Sequence, residues 1–367
     1  MVAKEKYAEP TYLEFGFGEL EHEVIKKELC CYCGTCIAFC PKIGDSGDRP
    51  DLIAYDPLCG LCYAYCPRSF LDVPTIEKKI FGINRSDEAL GVYKRAVSAR
   101  ATHSGIQSVA QDGGIVTALL ANALESGLID CAVVTGRGDD WRGEPRVATT
   151  ADEIISCAGT KYTSTPSIVG VQTAMDEGYR KIGFVGTPCQ IQALRKVQLL
   201  EEPYEFGQKK IGLVIGLFCM ENFQYEKLIG GLVEGVFGLR PQDVKKFEIQ
   251  KGMFRVIHRD GAREIPVADT HDYVWRGCGP CFDFTAELAD ISVGSVGSPQ
   301  GWSTVMTRTG IGSDLYTDLL KAKKIEEKEI KERGIALIKK LAHEKIGRFE
   351  ENAERLERSG IKLGIKR

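Results

Sequence analysis

Residues 30–41 read CCYCGTCIAFCP, and this stretch decides how the first part of the chain folds. Four of its cysteines have the spacing C-x2-C-x2-C-x3-C and are followed directly by proline. This spacing is typical of bacterial ferredoxins, in which three thiolates on one tight loop bind one iron–sulfur cluster and the fourth binds the neighbouring cluster. The stretch therefore predicts electron transfer. The four cysteines are Cys30, Cys33, Cys36 and Cys40.

A second, shorter run of cysteines follows at Cys59, Cys62 and Cys66, again ending in proline. Its first position is occupied by Asp56 instead of cysteine. We expect the two runs to exchange ligands, because the last cysteine of such a run binds the other cluster. One predicted cluster is held by Cys30, Cys33, Cys36 and Cys66, and the other by Cys40, Cys59 and Cys62. The fourth corner of the second cluster has no cysteine of its own. Asp56, water or the spare Cys31 could occupy it, or the cluster could lack one iron.

Zinc is the alternative metal for these cysteines. The pairs Cys30/Cys33 and Cys59/Cys62 are each spaced C-x2-C and would suit a tetrahedral structural zinc site. Such a site would leave the remaining three cysteines of the two runs unused, and it does not require the prolines that follow them. The spacing therefore favours clusters over zinc.

The composition excludes several classes of function. The chain has 367 residues, a net charge of −3 and 43% hydrophobic residues, which is ordinary for a protein of two or three domains. Without a large basic block, it is not expected to bind nucleic acid. No apolar stretch approaches the ~20 residues that span a bilayer. Because the first residues lack a signal segment, we expect the 14 cysteines to stay reduced in the cytoplasm. Peripheral association with a membrane complex is an open alternative.

Three segments are predicted along the chain. Residues 1–90 form a small two-cluster ferredoxin-like α+β domain, in which metal binding is coupled to folding. Residues 91–320 form a mixed α/β domain. Residues 321–367 form an amphipathic helical extension, which either packs on the core or docks a partner subunit.

Alternating apolar segments support the α/β assignment. The pattern predicts a helix over residues 114–126 and buried strands over 131–135, 181–186 and 210–219. The dipeptide Asp260-Gly261 between two alternating segments predicts a β-hairpin.

A second group of cysteines lies in this larger domain. Cys189 follows the strand at 181–186, Cys219 ends the strand at 210–219, and Cys278 and Cys281 form a CxxC pair. Ligands of open α/β sheets gather beyond the carboxyl ends of the strands, so we infer a third cluster on these four thiols. The alternative is that they are buried structural cysteines, as we expect for Cys131 and Cys157.

A two-electron cofactor is also expected. Iron–sulfur clusters carry one electron, whereas most metabolic reductants give two, and a flavin is the usual converter. Three glycine-containing stretches are candidates for binding it: residues 112–114, 159–163 and 294–303. The first would present backbone amides at a helix N-terminus, where phosphate binds well.

From about Val92 to Gly310, the chain resembles the family of coenzyme F420 hydrogenase/dehydrogenase beta subunits. The resemblance rests on QDGGIVT at 111–117, AGTKYT at 158–163, PCQ at 188–190, CMENF at 219–223 and ELADISVGSVGSP at 287–299. It implies bound FAD, a [4Fe–4S] cluster on the second cysteine group, and hydride exchange with the deazaflavin coenzyme F420. Because the family also includes formate dehydrogenase subunits and a chlorophyll-derivative reductase, the cofactors are better determined than the substrate.

A ferredoxin-like segment precedes this domain in the same chain. This domain order resembles that of the F-type subunits of the reduced coenzyme F420 dehydrogenases. The resemblance implies an oxidoreductase with FAD and three [4Fe–4S] clusters, which passes single electrons to other subunits of a complex. A beta subunit of a coenzyme-reducing hydrogenase or formate dehydrogenase is one alternative, and a ferredoxin-type carrier without its own substrate is another. No catalytic residue is assigned; the candidate cofactor-binding residues are Asp112, Gly113, Gly114, Thr117, Gly159, Thr160, Lys161, Tyr162, Gly294, Ser295, Gly297 and Ser298.

Overall fold

The computed structural model describes residues 15–54, 59–199 and 210–367. Asp56 lies outside these residues, so the predicted open corner of the second N-terminal cluster is not described. The N-terminal segment consists of short elements around the cysteine runs. In chain order they are α1 (Phe17–Leu20), α2 (Thr35–Ala38), β1 (Ile43–Asp45), β2 (Pro50–Leu52), α3 (Leu61–Tyr65), β3 (Leu71–Asp72) and α4 (Val73–Phe81).

The rest of the described chain is mixed α/β, as expected from the sequence. The predicted helix, the three buried strands and the hairpin are all present, with bounds that differ by a few residues. The elements are β4 (Arg95–Ala101), α5 (Ser104–Val109), α6 (Ile115–Glu125), β5 (Cys131–Arg137), β6 (Gly143–Ala148), α7 (Ala151–Ser156), α8 (Val169–Asp176), β7 (Ile182–Gly186), α9 (Pro188–Gln198), β8 (Ile211–Leu217), β9 (Val244–Gln250), β10 (Met253–His258), β11 (Gly261–Pro266), β12 (Ile291–Gly294), β13 (Ser303–Thr307), α10 (Gly310–Lys321), β14 (Ile325–Lys328), α11 (Glu332–Arg358) and β15 (Ile365–Lys366).

Eight of these strands form one sheet in the order β14-β4-β13-β12-β8-β7-β5-β6. The four consecutive strands β12, β8, β7 and β5 run parallel, and the flanking pairs are antiparallel. Residues such as Phe184 and Val214 are fully buried because helices cover both faces of these central strands. The carboxyl ends of β7 and β8 therefore meet at one edge of the sheet.

A separate antiparallel sheet of β9, β10 and β11 lies over this edge. Its inner face carries Phe247, Phe254 and Val256, which pack with Phe223 in an apolar cluster. The cluster holds the small sheet against the segments that follow β8 and α7.

The N-terminal segment is packed against the α/β part in a shared core. Phe39 and Val73 belong to the same buried cluster as Ile168 and Phe184. Helix α11 reaches the N-terminal segment as well, because Leu356 packs on the cluster around Leu20. No helix in residues 15–54, 59–199 or 210–367 is long and apolar enough to cross a membrane.

Candidate functional site

The N-terminal cysteines form two neighbourhoods. The pKa of Cys30 is raised by burial and by the thiols of Cys66 and Cys33, and the pKa of Cys36 is raised by burial and by the same thiols. Cys62 instead lies near Cys40 and Cys59, and burial together with Cys40 raises its pKa to about 12. The structure thus brings the last cysteine of the second run to the first three of the first run.

The loop that carries Cys30, Cys33 and Cys36 has a constrained backbone. Gly34 has φ +88°, and a Cβ at this position would lie 2.6 Å from the carbonyl oxygen of Pro166. The backbone N–H of Tyr32 points at the sulfur of Cys30, at 3.4 Å. Hydrogen bonds of this kind to ligand sulfurs are a means by which proteins adjust iron–sulfur clusters.

The second cysteine group is assembled at the carboxyl ends of β7 and β8. Cys189 is the second residue of α9, directly after β7, and Cys219 follows β8. Burial, together with the thiols of Cys278, Cys189 and Cys281, raises the pKa of Cys219 well above its ordinary value. The four thiols therefore share one neighbourhood.

Neutral donors also point at this second group. The backbone N–H of Asn222 donates to the sulfur of Cys278 at 3.3 Å, and the Thr187 hydroxyl lies 3.4 Å from the sulfur of Cys189. A buried lysine, Lys345, donates to the carbonyl oxygen of Cys219 at 2.5 Å. These groups favour negative charge on the sulfurs.

Cys31 joins the two regions. Its pKa is raised mainly by the neighbouring Cys189 thiol, then by Cys33 and by burial. The Cys31 thiol in turn lowers the pKa of Cys189. The first N-terminal neighbourhood and the second cysteine group are therefore in direct contact, a relationship that the sequence did not reveal.

The donor chemistry of both groups fits iron–sulfur clusters. The donors are buried and half-buried thiols, two of them approached by backbone N–H groups, and buried cations lie beside them. In the part of the chain that the structure describes, no three His, Cys, Asp or Glu side chains are close enough to hold a single metal ion. The thiolates of a cluster bind different iron atoms, so they need not converge on one point.

The first two predicted flavin stretches lie close together, through Gln111 just before the first of them. The backbone N–H of Thr160 donates to the side-chain oxygen of Gln111 at 3.3 Å, and Lys246 donates to the carbonyl oxygen of Gln111 at 3.1 Å. Burial raises the pKa of Asp112, although Lys246 opposes this. Tyr162 packs edge-on against Phe254, with 5.6 Å between ring centroids.

Some of the predicted phosphate contacts already have partners within the protein. The backbone N–H of Gly113 donates to the Ser303 hydroxyl at 3.0 Å. Lys161 donates to the carbonyl oxygens of Cys157, Ala158 and Gly159, where it caps the end of α7, and burial lowers its pKa to about 8. Thr117 is buried on α6. For these residues the structure shows a packing or capping role, and cofactor contact stays a prediction.

The third stretch touches the first through its last residue. Ser303 accepts the hydrogen bond from Gly113 and pairs with Ala99 of β4. The Ser298 hydroxyl lies further along, 2.7 Å from that of Ser98. In the third stretch, Gly294 packs on Phe218, Gly297 packs on α11, and Ser295 is exposed.

A cleft of about 550 Å³ lies between the N-terminal segment and the α/β part, and sequence analysis missed it. Tyr32 and Trp275 stack along its wall, with 5.5 Å between ring centroids. Thr163 and Ser164 also line it, and their buried hydroxyls have no hydrogen-bond partner within the described residues. Thr163 is the last residue of the predicted stretch at 159–163, which was the sequence signal for this cleft.

Comparison with known proteins gives a consistent result. The family model described as "Coenzyme F420 hydrogenase/dehydrogenase, beta subunit N-term" matches residues 96–170. The model for the C-terminal part of the same subunit matches residues 179–333. Coenzyme F420 hydrogenase subunit beta of Methanothermobacter thermautotrophicus is 44% identical over 276 residues, which is 74% of this chain and 98% of the relative.

Two further relatives extend the comparison. A subunit of the F420H2 dehydrogenase of Methanosarcina mazei is 33% identical over 331 residues, covering 87% of this chain and 90% of the relative. A chain of the F420-reducing [NiFe] hydrogenase complex from Methanosarcina barkeri is 42% identical and superposes with a TM-score of 0.72, covering 76% of this chain and 98% of that chain.

Proposed function

Because this chain belongs to the family of coenzyme F420 hydrogenase/dehydrogenase beta subunits, we propose that it exchanges a hydride with coenzyme F420 through FAD and passes single electrons onward. The chain is a coenzyme F420-dependent oxidoreductase. The bound FAD, the iron–sulfur clusters and the transfer of electrons to an acceptor are what we propose beyond this. The observation that carries the proposal is the gathering of Cys189, Cys219, Cys278 and Cys281 beside the N-terminal cysteines.

Eleven cysteines would hold three [4Fe–4S] clusters, one of them with the corner that Asp56 or another ligand completes. When bound, a flavin takes up two electrons together, whereas each cluster takes up one. The chain itself places backbone N–H groups of Tyr32 and Asn222 against ligand sulfurs. Cys33, Cys62 and Cys281 are less than one-tenth exposed, so water has little access to these three residues.

The flavin would lie along the stretches at 112–114 and 159–163, since Gln111 just before the first accepts a hydrogen bond from Thr160 of the second. The unpartnered hydroxyls of Thr163 and Ser164 would donate to its polar edge, and Trp275 would cover the side toward Cys278. No general base is required for this proposal, since orientation of the reactants and exclusion of water supply most of the rate enhancement in hydride exchange.

The partners are coenzyme F420 and further subunits of an electron-transfer complex, by analogy with the hydrogenase complex that contains a similar chain. The longer match to the dehydrogenase relative favours a chain that oxidises the reduced coenzyme. The higher identity to the hydrogenase relative supports the coenzyme-reducing direction equally well. Both directions use the same cofactors.

Anoxic purification and one assay test the proposal. We expect FAD, iron and acid-labile sulfide in the protein, and reduction of methyl viologen only when the reduced coenzyme F420 is added. Protein without flavin would instead support a ferredoxin-type carrier. Protein with zinc and no iron or sulfide would support a structural zinc module.

A further inference from the structure

Arg68 is a buried cation without an ordinary partner. Arg68 is 2% exposed. None of its three guanidinium nitrogens has a hydrogen-bond acceptor within the described residues. Other buried cations nearby are satisfied by the protein. Lys196 donates to the carbonyl oxygens of Cys66 and Phe70 at 2.6 and 2.5 Å.

The position of Arg68 links the two cysteine regions. Its backbone N–H points at the sulfur of Cys66, at 3.4 Å, in the N-terminal neighbourhood. Its guanidinium lies among the thiols of Cys31, Cys281 and Cys189. The residue therefore spans from a predicted ligand of one cluster to two predicted ligands of another.

A buried guanidinium without a counter-ion is strongly unfavourable, because the lost hydration is not replaced. An anionic group next to these thiols would satisfy all three nitrogens. An iron–sulfur cluster with four thiolate ligands is such a group.

We propose that Arg68 is a positioning residue that donates to the cluster of the second cysteine group and stabilises its reduced state. This inference rests on the proposed function, since it requires a cluster on Cys189, Cys219, Cys278 and Cys281. Reduction adds one electron and makes the cluster one unit more negative. A fixed positive charge beside it therefore raises its midpoint potential, as charge and hydrogen bonds to sulfur do generally.

The test is a redox titration with dithionite, followed by the EPR signals of the reduced clusters. The relevant signal is the one that the Cys281→Ser variant lacks. In Arg68→Met we expect the ratio of reduced to oxidised cluster to fall about tenfold at a fixed ambient potential, or ~59 mV for one electron. Arg68→Lys should stay close to wild type. Arg49→Met, at an exposed arginine of the N-terminal segment, is the matched control and should not shift the potential.

Each outcome decides one question. Wild-type protein without iron and sulfide would defeat the proposed function, whatever the variants do. Clusters with an unchanged potential in Arg68→Met would overturn the role of Arg68 and leave the proposed function standing. Arg68→Met could instead lose one cluster. In that case, retention of the cluster in Arg68→Lys supports the role of the charge. Loss of the cluster in both variants overturns it.

Discussion

The indole N–H of Trp275 donates a hydrogen bond of 2.6 Å to the carbonyl oxygen of Cys30. Trp275 lies three residues before Cys278, so this bond ties the CxxC segment of the α/β part to the first cysteine of the N-terminal run. The Tyr32 ring stacks on the same indole. The two predicted cluster regions are therefore fixed to each other by a specific contact as well as by a shared core.

The first prediction concerns Gly277, whose Cα packs on that carbonyl. A Cβ at this position would overlap the carbonyl oxygen of Cys30. We expect Gly277→Ala to lower stability by about 1–3 kcal/mol, the usual effect of overpacking, measured as a lower thermal midpoint. Gly310→Ala, where a Cβ would meet nothing within 4 Å, is the control and should stay near wild type. Equal midpoints for the two variants would contradict the close contact.

The second prediction separates the flavin from the second cysteine group. Cys281→Ser should keep FAD, lose about one cluster's share of iron, and fail to reduce methyl viologen with reduced coenzyme F420. Cys131→Ser is the control, because Cys131 is fully buried on β5 and is not a predicted ligand. Dye reduction at the wild-type rate in Cys281→Ser would remove this cluster from the path of the electrons.

The third prediction tests the cleft. The Thr163 hydroxyl is buried and lacks a partner, so Thr163→Val should not lower stability. If that hydroxyl donates to the flavin, the dissociation constant of FAD should rise about fivefold, since one hydrogen bond contributes about 1 kcal/mol. Fluorescence titration of the deflavinated protein measures this. Unchanged FAD affinity, with Thr317→Val on α10 as the control, would place the flavin elsewhere.

The fourth prediction concerns pH. Burial and the nearby Asp283 raise the pKa of Glu287 to about 7, although Arg85 lies 2.6 Å away. The folded protein then binds a proton that the unfolded chain, with an ordinary pKa near 4.5, has released. The resulting stabilisation is fully present below about pH 4.5 and is lost as the pH rises through about 7.

We therefore expect the thermal midpoint of the wild type to fall between pH 5 and pH 8 relative to that of Glu287→Gln, which cannot titrate at this site. Glu344→Gln, at an exposed carboxyl of α11, should follow the wild type. Curves for wild type and Glu287→Gln that run parallel across this range would show that Glu287 has an ordinary pKa.

Much of the α/β part could be predicted because apolar periodicity and turn residues act locally. The dipeptide at 260–261 indicated the hairpin that β10 and β11 form, and continuous apolar runs indicated β7 and β8. Once those strands were predicted, the positions of Cys189 and Cys219 just beyond them predicted that the two thiols would meet.

The parts that were missed depend on contacts between distant segments. Arg68, Lys196 and Lys345 are charged, and charged residues are usually exposed, so nothing in the sequence indicated that they are buried. Glycines posed a different problem, because they serve both cofactor loops and close packing. At Gly297 the backbone packs on Gly334 of α11, so the structure gives this glycine a packing role.

The pairing of β15 with β3 joins Ile365 to Leu71, 294 residues earlier in the chain (365 − 71). Leu363 also packs with the N-terminal cluster around Leu20. During translation, residues 361–366 are added only after the cysteine runs have left the ribosome. The N-terminal segment therefore reaches its final packing only after synthesis of these residues, and metal centres loaded earlier would sit in an unfinished shell.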